Sequence, residues 1–167
     1  PSQQNSHKLF FCANQRSVQS EVLTGRVPNL AGKLEDADHR PFFYAGYVHG
    51  EYLDKNATGE RVAFSLPENN NVLNLPTWEE VLKAAVEQAT EFLQPHTETL
   101  RTAKEEQIRE FVQAKAPQYR PVFKHRPDLI EKVPPSLPEE KLDIELYRAN
   151  QTYEAELRDK STSILQS

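Results

Sequence analysis

The sequence predicts an α+β protein: short strands and turns over residues 1–70, then a helical extension over 71–167. Three observations carry this. Short apolar runs of strand length, separated by turn residues, fill the first part. From Thr77 onward, apolar residues recur at three- and four-residue steps, the spacing of a helix face. The polar run Pro67-Glu68-Asn69-Asn70-Asn71 separates the two regimes.

The elements follow in order. Lys8–Ala13 is a strand-length apolar run. Asn14-Gln15-Arg16 is a polar break, and asparagine tolerates the left-handed turn conformation. Ser17–Leu23 continues as a half-alternating strand, so the pair reads as a hairpin that Thr24-Gly25 ends. Pro28–Leu34 is expected to be a short helix, and Glu35–Arg40 a charged loop. Phe42–Gly50 is the most aromatic stretch and predicts a buried strand. Lys55–Gly59 is a turn, and Arg61–Leu66 a returning strand stopped by Pro67.

Thr77 with Glu80 forms a capping box that opens a helix. Pro95 is expected to break or kink it, with a second helix from Thr97 to Ala116. Residues 117–138 carry Pro117, Pro121, Pro127, Pro134, Pro135 and Pro138 and read as a proline-rich connector. Pro138-Glu139-Glu140 suits the first turn of a last helix. Its stripe of Leu142, Leu146, Ala149, Tyr153, Leu157 and Ile164 resembles a coiled-coil or packing seam.

Composition narrows the function classes. Apolar residues make up 37% and charged residues 27% of the 167, with a net charge of -5, which opposes a general grip on nucleic acid. Cys12 is the only cysteine, so no internal disulfide forms. No apolar run approaches the roughly 20 residues that span a bilayer. A cytoplasmic protein without membrane contact is expected. The polar run Pro1–His7 entering a strand, in a chain without methionine, predicts a cut between domains of a larger protein.

No catalytic constellation stands out. His7, His39, His49, His96 and His125 are scattered, without the short spacings a zinc site needs. Cys12 sits in an apolar strand, which suits an inert thiol. The five glycines are dispersed, so no phosphate-cradling loop exists. The acid pairs Glu79-Glu80, Glu105-Glu106 and Glu139-Glu140 diverge around their helices. Catalytic, metal and cofactor residues are therefore expected to be absent from this segment, which is not by itself an enzyme. One segment mixes rings and cations as a single-strand nucleic-acid platform does: Tyr119, Arg120, Phe123, Lys124 and Arg126. A packed loop with solvated cations is the alternative. Asp54 and Arg61 flank one turn and can pair across it.

Two stretches carry a family resemblance. Phe10–Val18 resembles the hairpin that opens the domain following the ATPase domain of MutL proteins. Tyr47–Asp54 with Glu60–Phe64 resembles a later hairpin of uncharacterised bacterial ATPases similar to the ninety-kilodalton heat-shock protein. Both point to the gyrase, heat-shock-chaperone, histidine-kinase and MutL superfamily. The resemblance covers residues 8 to 66. It implies a transducer of the ribosomal protein S5 domain 2-like fold, an α+β domain with a small sheet backed by helices, which relays the nucleotide state of an upstream ATPase domain to dimerisation and to client or DNA handling. ATP and magnesium are implied for that upstream domain. Asn14, Arg16 and Arg61 are the implied contacts with it. MutL-like proteins often have glycine where Gln15 stands. Transducers of this family commonly send a lysine to the ATP γ-phosphate; Lys33 and Lys55 are available, and neither lies in a motif that identifies it. Two further readings stay open: an interaction module that forms a homodimer through the Leu142–Ile164 stripe, and a nucleic-acid-binding segment.

Overall fold

A computed structural model describes residues 4–60, 62–67 and 74–165, the last three by their backbone alone. The chain is a mixed α+β protein with a small three-stranded sheet and a long helix. It divides into two compact units, Pro1–His96 and Thr97–Ser167.

The first unit is built on a hairpin of β1 (Lys8–Ala13) and β2 (Arg16–Val22). Ala13 pairs with Arg16, so the loop is the two residues Asn14 and Gln15, with φ of 49° and 65°. Two successive positive φ values define the turn whose twist matches a hairpin. The register slips between Phe11 and Cys12. A further strand, β5 (Ala45–Val48), joins β1 in parallel, giving the order β2-β1-β5. Leu9, Phe11 and Ala13 alternate inward and are buried. Phe10 and Tyr47, opposite each other on the other face, stack at 5.3 Å.

The aromatic stretch 42–50 is not one buried strand. Pro41–Phe42 (β4) pairs with Leu34–Glu35 (β3) in a separate two-stranded ladder, and Tyr47 is 66% exposed. The expected helix at 28–34 is a chain of turns, because Asn29 and Gly32 take φ of 59° and 64°, outside the helical region. Leu30 and Leu34 within it, and Val27 just before it, are buried nonetheless. Glu51–Asn56 forms a short helix, α1, with Leu53 buried and a Glu51–Lys55 ion pair at 2.6 Å. The expected returning strand reduces, among the described residues, to one bridge between Ala57 and Phe64.

His7 ties this unit together from within, being 1% exposed. Its Nδ1 accepts the Tyr44 N–H at 3.0 Å. The other nitrogen, Nε2, therefore carries the proton and donates to the Gly32 carbonyl at 2.7 Å. One neutral imidazole thus satisfies two backbone groups from loops far apart in sequence.

Helix α2 (Trp78–Ala114) starts in this unit. Thr77 and Glu80 cap it reciprocally: the Thr77 N–H donates to the Glu80 carboxylate at 2.8 Å, and the Glu80 N–H to the Thr77 hydroxyl at 3.2 Å. Trp78 packs edge-on against Phe11 at 4.6 Å. Pro95 lies inside α2 rather than ending it, and the division between units falls just after it, at His96.

In the second unit, the expected connector is a packed series of helical turns. A 3-10 turn at Pro117–Tyr119 leads into α3 (Arg120–His125) and α4 (Pro127–Glu131). They share one core with the second half of α2 and with α5 (Glu139–Leu165), built on Ile108, Val112, Val122, Ile130, Leu142 and Leu146. The α5 stripe is buried inside its own unit at Leu142, Leu146 and Ala149, while Leu157 is 44% exposed. The Ile164 side chain lies outside the described residues.

Candidate functional site

The two stretches that carry the family resemblance meet in the first unit. β1 pairs with β5 along Lys8–Phe11. At the hairpin tip, the Asn14 N–H donates to Asp54 Oδ1 of α1 at 2.7 Å. A left-handed turn points its first N–H away from the ladder, and the α1 carboxylate satisfies it. Asn14 and Arg16 are exposed beside this contact. Arg61 lies outside the described residues, so the Asp54–Arg61 pair does too. Lys55 is engaged by Glu51, and Lys33 sits over the Phe43 ring at 5.8 Å. Cys12 is half-buried, and burial pushes its thiol up, away from the reactive thiolate.

A groove of about 920 Å³ lies between β5 and the first turns of α2. Leu9, Tyr44 and Gly46 line its sheet side, and Val81, Ala85 and Ala89 its helix side. Phe92 is 66% exposed, with its ring 5.5 Å from that of Tyr44. Close approach favours glycine at position 46. A Cβ there would lie 2.7 Å from both Leu9 Cδ2 and the Tyr44 hydroxyl. Partial burial of Tyr44 raises its hydroxyl above the usual tyrosine range, so it meets the groove as a neutral donor. The helical face of Val81, Ala85 and Ala89 is visible in the sequence, but its sheet-side partner is not.

The five ring and cation residues of the second unit do not share one exposed face. Tyr119 is buried and donates to Asp143 Oδ1 at 3.1 Å. Phe123 packs on the core. Arg126 forks onto Asp128 at 2.8 and 2.7 Å and also binds Glu156 of α5. Arg120 and Lys124 remain exposed. Phe123 and Ile130 also border a cavity of about 560 Å³ with Arg101, Lys104 and Arg109. Its cations are matched: Arg101 pairs with Glu98 and Glu105, and Arg109 with Glu106.

Among the described residues, no three His, Cys, Asp or Glu side chains converge as metal ligands. None of the described helices is long and apolar enough to cross a membrane. Comparison with protein-family models, curated proteins and solved structures found no match.

Proposed function

We propose that the chain works by contact rather than by its own bond-making chemistry, as the relay region of a larger ATP-dependent protein of the gyrase, heat-shock-chaperone, histidine-kinase and MutL superfamily. In this reading the first unit is a transducer of the ribosomal protein S5 domain 2-like kind. It couples the nucleotide state of an upstream ATPase domain to dimerisation or to handling of a client or DNA. The supporting observation is the Asn14–Asp54 contact at 2.7 Å, which joins the two resembling stretches into one small body. A hairpin tip fixed to a helix moves as a unit, as a relay between two states requires. The five glycines are dispersed, and among the described residues no three His, Cys, Asp or Glu side chains converge as metal ligands. ATP and magnesium belong to the upstream domain, with Asn14 and Arg16 at the contact. In the second unit, the exposed Ile144, Tyr147 and Leu157 of α5 supply the surface with which a partner or second copy engages.

The test has two steps. The coding sequence upstream of Pro1 must encode an ATP-binding domain of this superfamily, and its absence refutes the reading. Where it is present, Asp54→Ala in the full-length product should lower ATP turnover while ATP affinity stays unchanged. Unchanged turnover removes the hairpin tip from the relay.

A further inference from the structure

We propose that His7 is an acid-sensitive latch: a second proton on its ring frees residues 44–48 from β1 and dissolves the sheet side of the groove. The inference stands independently of the ATPase reading, since it uses only the first unit's own residues.

The ring's two bonds fix what a proton can do. A backbone N–H only donates, so the Tyr44 N–H needs a bare Nδ1, which lies 3.0 Å away. Nε2 already carries the one proton of the neutral ring and directs it at the Gly32 carbonyl, 2.7 Å away. A second proton can enter only at Nδ1. It would set two N–H groups face to face across 3.0 Å. His7 is also 1% exposed, so water does not solvate the charge in place. The charged ring has to leave its site.

The surroundings offer that charge no counter-ion. In the turn before β3 the ring meets the Gly32 carbonyl, and the next residue, Lys33, sits with Nζ over the Phe43 ring. In the 43–44 run it meets Phe43, ring centroids 5.2 Å apart, and the Tyr44 backbone. The Tyr44 side chain lines the groove. Lys8 follows His7 in β1. At the end of β2 the Leu23 N–H donates to the His7 carbonyl at 2.9 Å. The charges that flank Leu23, Glu21 and Arg26, pair with each other at 3.1 Å. Beyond Lys33, Glu35 pairs with His39 and Asp36 with Arg40. Among the described residues, no carboxylate hydrogen-bonds or ion-pairs with His7. The two lysines oppose a further cation.

The break falls at the entry to β5. The Tyr44 carbonyl accepts from the Lys8 N–H at 3.0 Å and from Gln4 Nε2 at 2.7 Å, and the Tyr44 N–H is the group His7 holds. β5 is four residues long and pairs with β1 alone, at the edge of the sheet. Short, exposed elements of this kind open locally before the rest of a fold. The β1–β2 hairpin pairs at six positions, and Trp78 of α2 packs on Phe11; neither contact involves the His7 ring. Loss of the latch therefore releases β5 and leaves the hairpin and α2 in place. Tyr44, Gly46, Tyr47 and Val48 leave the groove with it. As pH falls from about 7 to about 5, the open form takes up a proton that the closed form refuses. Its population then grows by up to about ten-fold per pH unit.

Hydrogen exchange of the 167-residue chain, read by mass spectrometry and corrected for the pH dependence of intrinsic exchange, tests this at both pH values. Peptides covering 43–48 should lose at least about ten-fold in protection at the lower pH. Those covering 16–22 and 78–92 should keep theirs. His7→Asn offers the Tyr44 N–H a carbonyl oxygen at every pH and should remove the response. Should that variant fail to fold, nitrogen-15 NMR of the His7 ring reads the unaltered chain. It should show the neutral ring with its proton on Nε2 at the higher pH, and a charged ring only in chains that have lost protection at 43–48. Equal protection at the two pH values overturns the proposal. So does a charged ring in a chain whose 43–48 segment stays protected, or a proton on Nδ1 of the neutral ring. A response that survives His7→Asn, or a loss of protection that takes β2 and α2 together with β5, also overturns it.

Discussion

Lys104 is 2% exposed on the inner side of α2, and replacing it by methionine tests how the second unit is held. Its Nζ donates to the carbonyl oxygens of Glu131 at 2.9 Å and Val133 at 3.0 Å. Glu131 is the last residue of α4 and Val133 lies just beyond it, where carbonyls lack helical partners. Methionine keeps the apolar stem and loses both bonds. Hydrogen bonds to a charged group contribute about 1.5–3 kcal/mol each, so about 3–6 kcal/mol is lost. The variant no longer desolvates an ammonium, which returns about 1–4 kcal/mol. The balance is a destabilisation of about 2 kcal/mol, or about 8–16 °C in Tm for a unit of this size. Burial also holds the Lys104 ammonium below the ordinary lysine range, with the Glu131 and Glu105 carboxylates opposing that effect. The folded chain therefore releases this proton at lower pH than the unfolded chain does. Stability rises with pH from the depressed folded value up to the ordinary 10.5 and is flat below that window. Tyr44 and Tyr119 titrate with the opposite sign above pH 10, but they are common to both proteins and cancel in the difference. Urea unfolding followed by circular dichroism, with and without Lys104→Met across the alkaline range, measures both effects. A neutral or stabilising substitution, or a stability difference without an alkaline slope, would refute the reasoning.

His7→Phe leaves the Tyr44 N–H and the Gly32 carbonyl without partners and should cost about 2–4 kcal/mol in urea unfolding followed by Trp78 fluorescence. Gly46→Ala should destabilise by about 1 kcal/mol, a small value because the flexible ends of Leu9 and Tyr44 can give way; a scanning calorimetry Tm checks it. Thr77→Ala removes half of the α2 capping box and should cost about 1 kcal/mol, measured as a lower urea midpoint. The Arg126 guanidinium beside Asp128 holds that carboxyl at about 2, below its ordinary 3.8. Its stabilisation is full above pH 3.8 and fades as pH falls through about 2. Arg126→Gln should remove that part of the acid dependence in a pH titration of Tm.

In the first unit, the sequence made local signals legible and hid the distant ones. Asn14-Gln15 could be read as a hairpin turn because asparagine accepts positive φ, and the structure puts both residues there. Thr77 and Glu80 could be read as a capping box because both bonds lie within one turn of helix. Tyr47 was different. Aromatic density suggested a buried strand, yet Tyr47 faces outward because Gly46 and Val48 take the inward positions of β5. Period-two alternation fixes which residues share a face but not which face is covered. His7 was likewise silent in sequence, since its partners, Tyr44 and Gly32, are loop groups that only the fold brings to it. The groove followed the same logic: its helix side was periodic in sequence, while its sheet side depended on β5 joining β1 in parallel.

The prolines of residues 117–138 carry a more general argument. Proline is excluded from helix interiors but welcome in the first turn, where its missing N–H would have had no partner. Pro117, Pro121 and Pro127 each stand in such a first turn. They therefore punctuate a series of short helices rather than extend a connector. The signal that distinguishes the two cases was present. Tyr119, Val122, Leu129, Ile130 and Val133 recur at intervals that keep one face apolar, and all five are buried. A true linker has no reason to repeat apolar residues in this way. The same helical pieces account for the cations. Arg126 precedes Pro127 at the start of α4, so its guanidinium is drawn to Asp128 in the first turn and to Glu156 across on α5. Tyr119 and Phe123 are held by the core, so two rings and one cation of the pattern serve packing, while Arg120 and Lys124 stay exposed. Replacing Val122 by aspartate, at a site 0% exposed, places an unpaired carboxylate in that core. It should abolish cooperative unfolding of the second unit. A variant that kept its helical circular dichroism and its transition would mean that the segment is held by something other than this core.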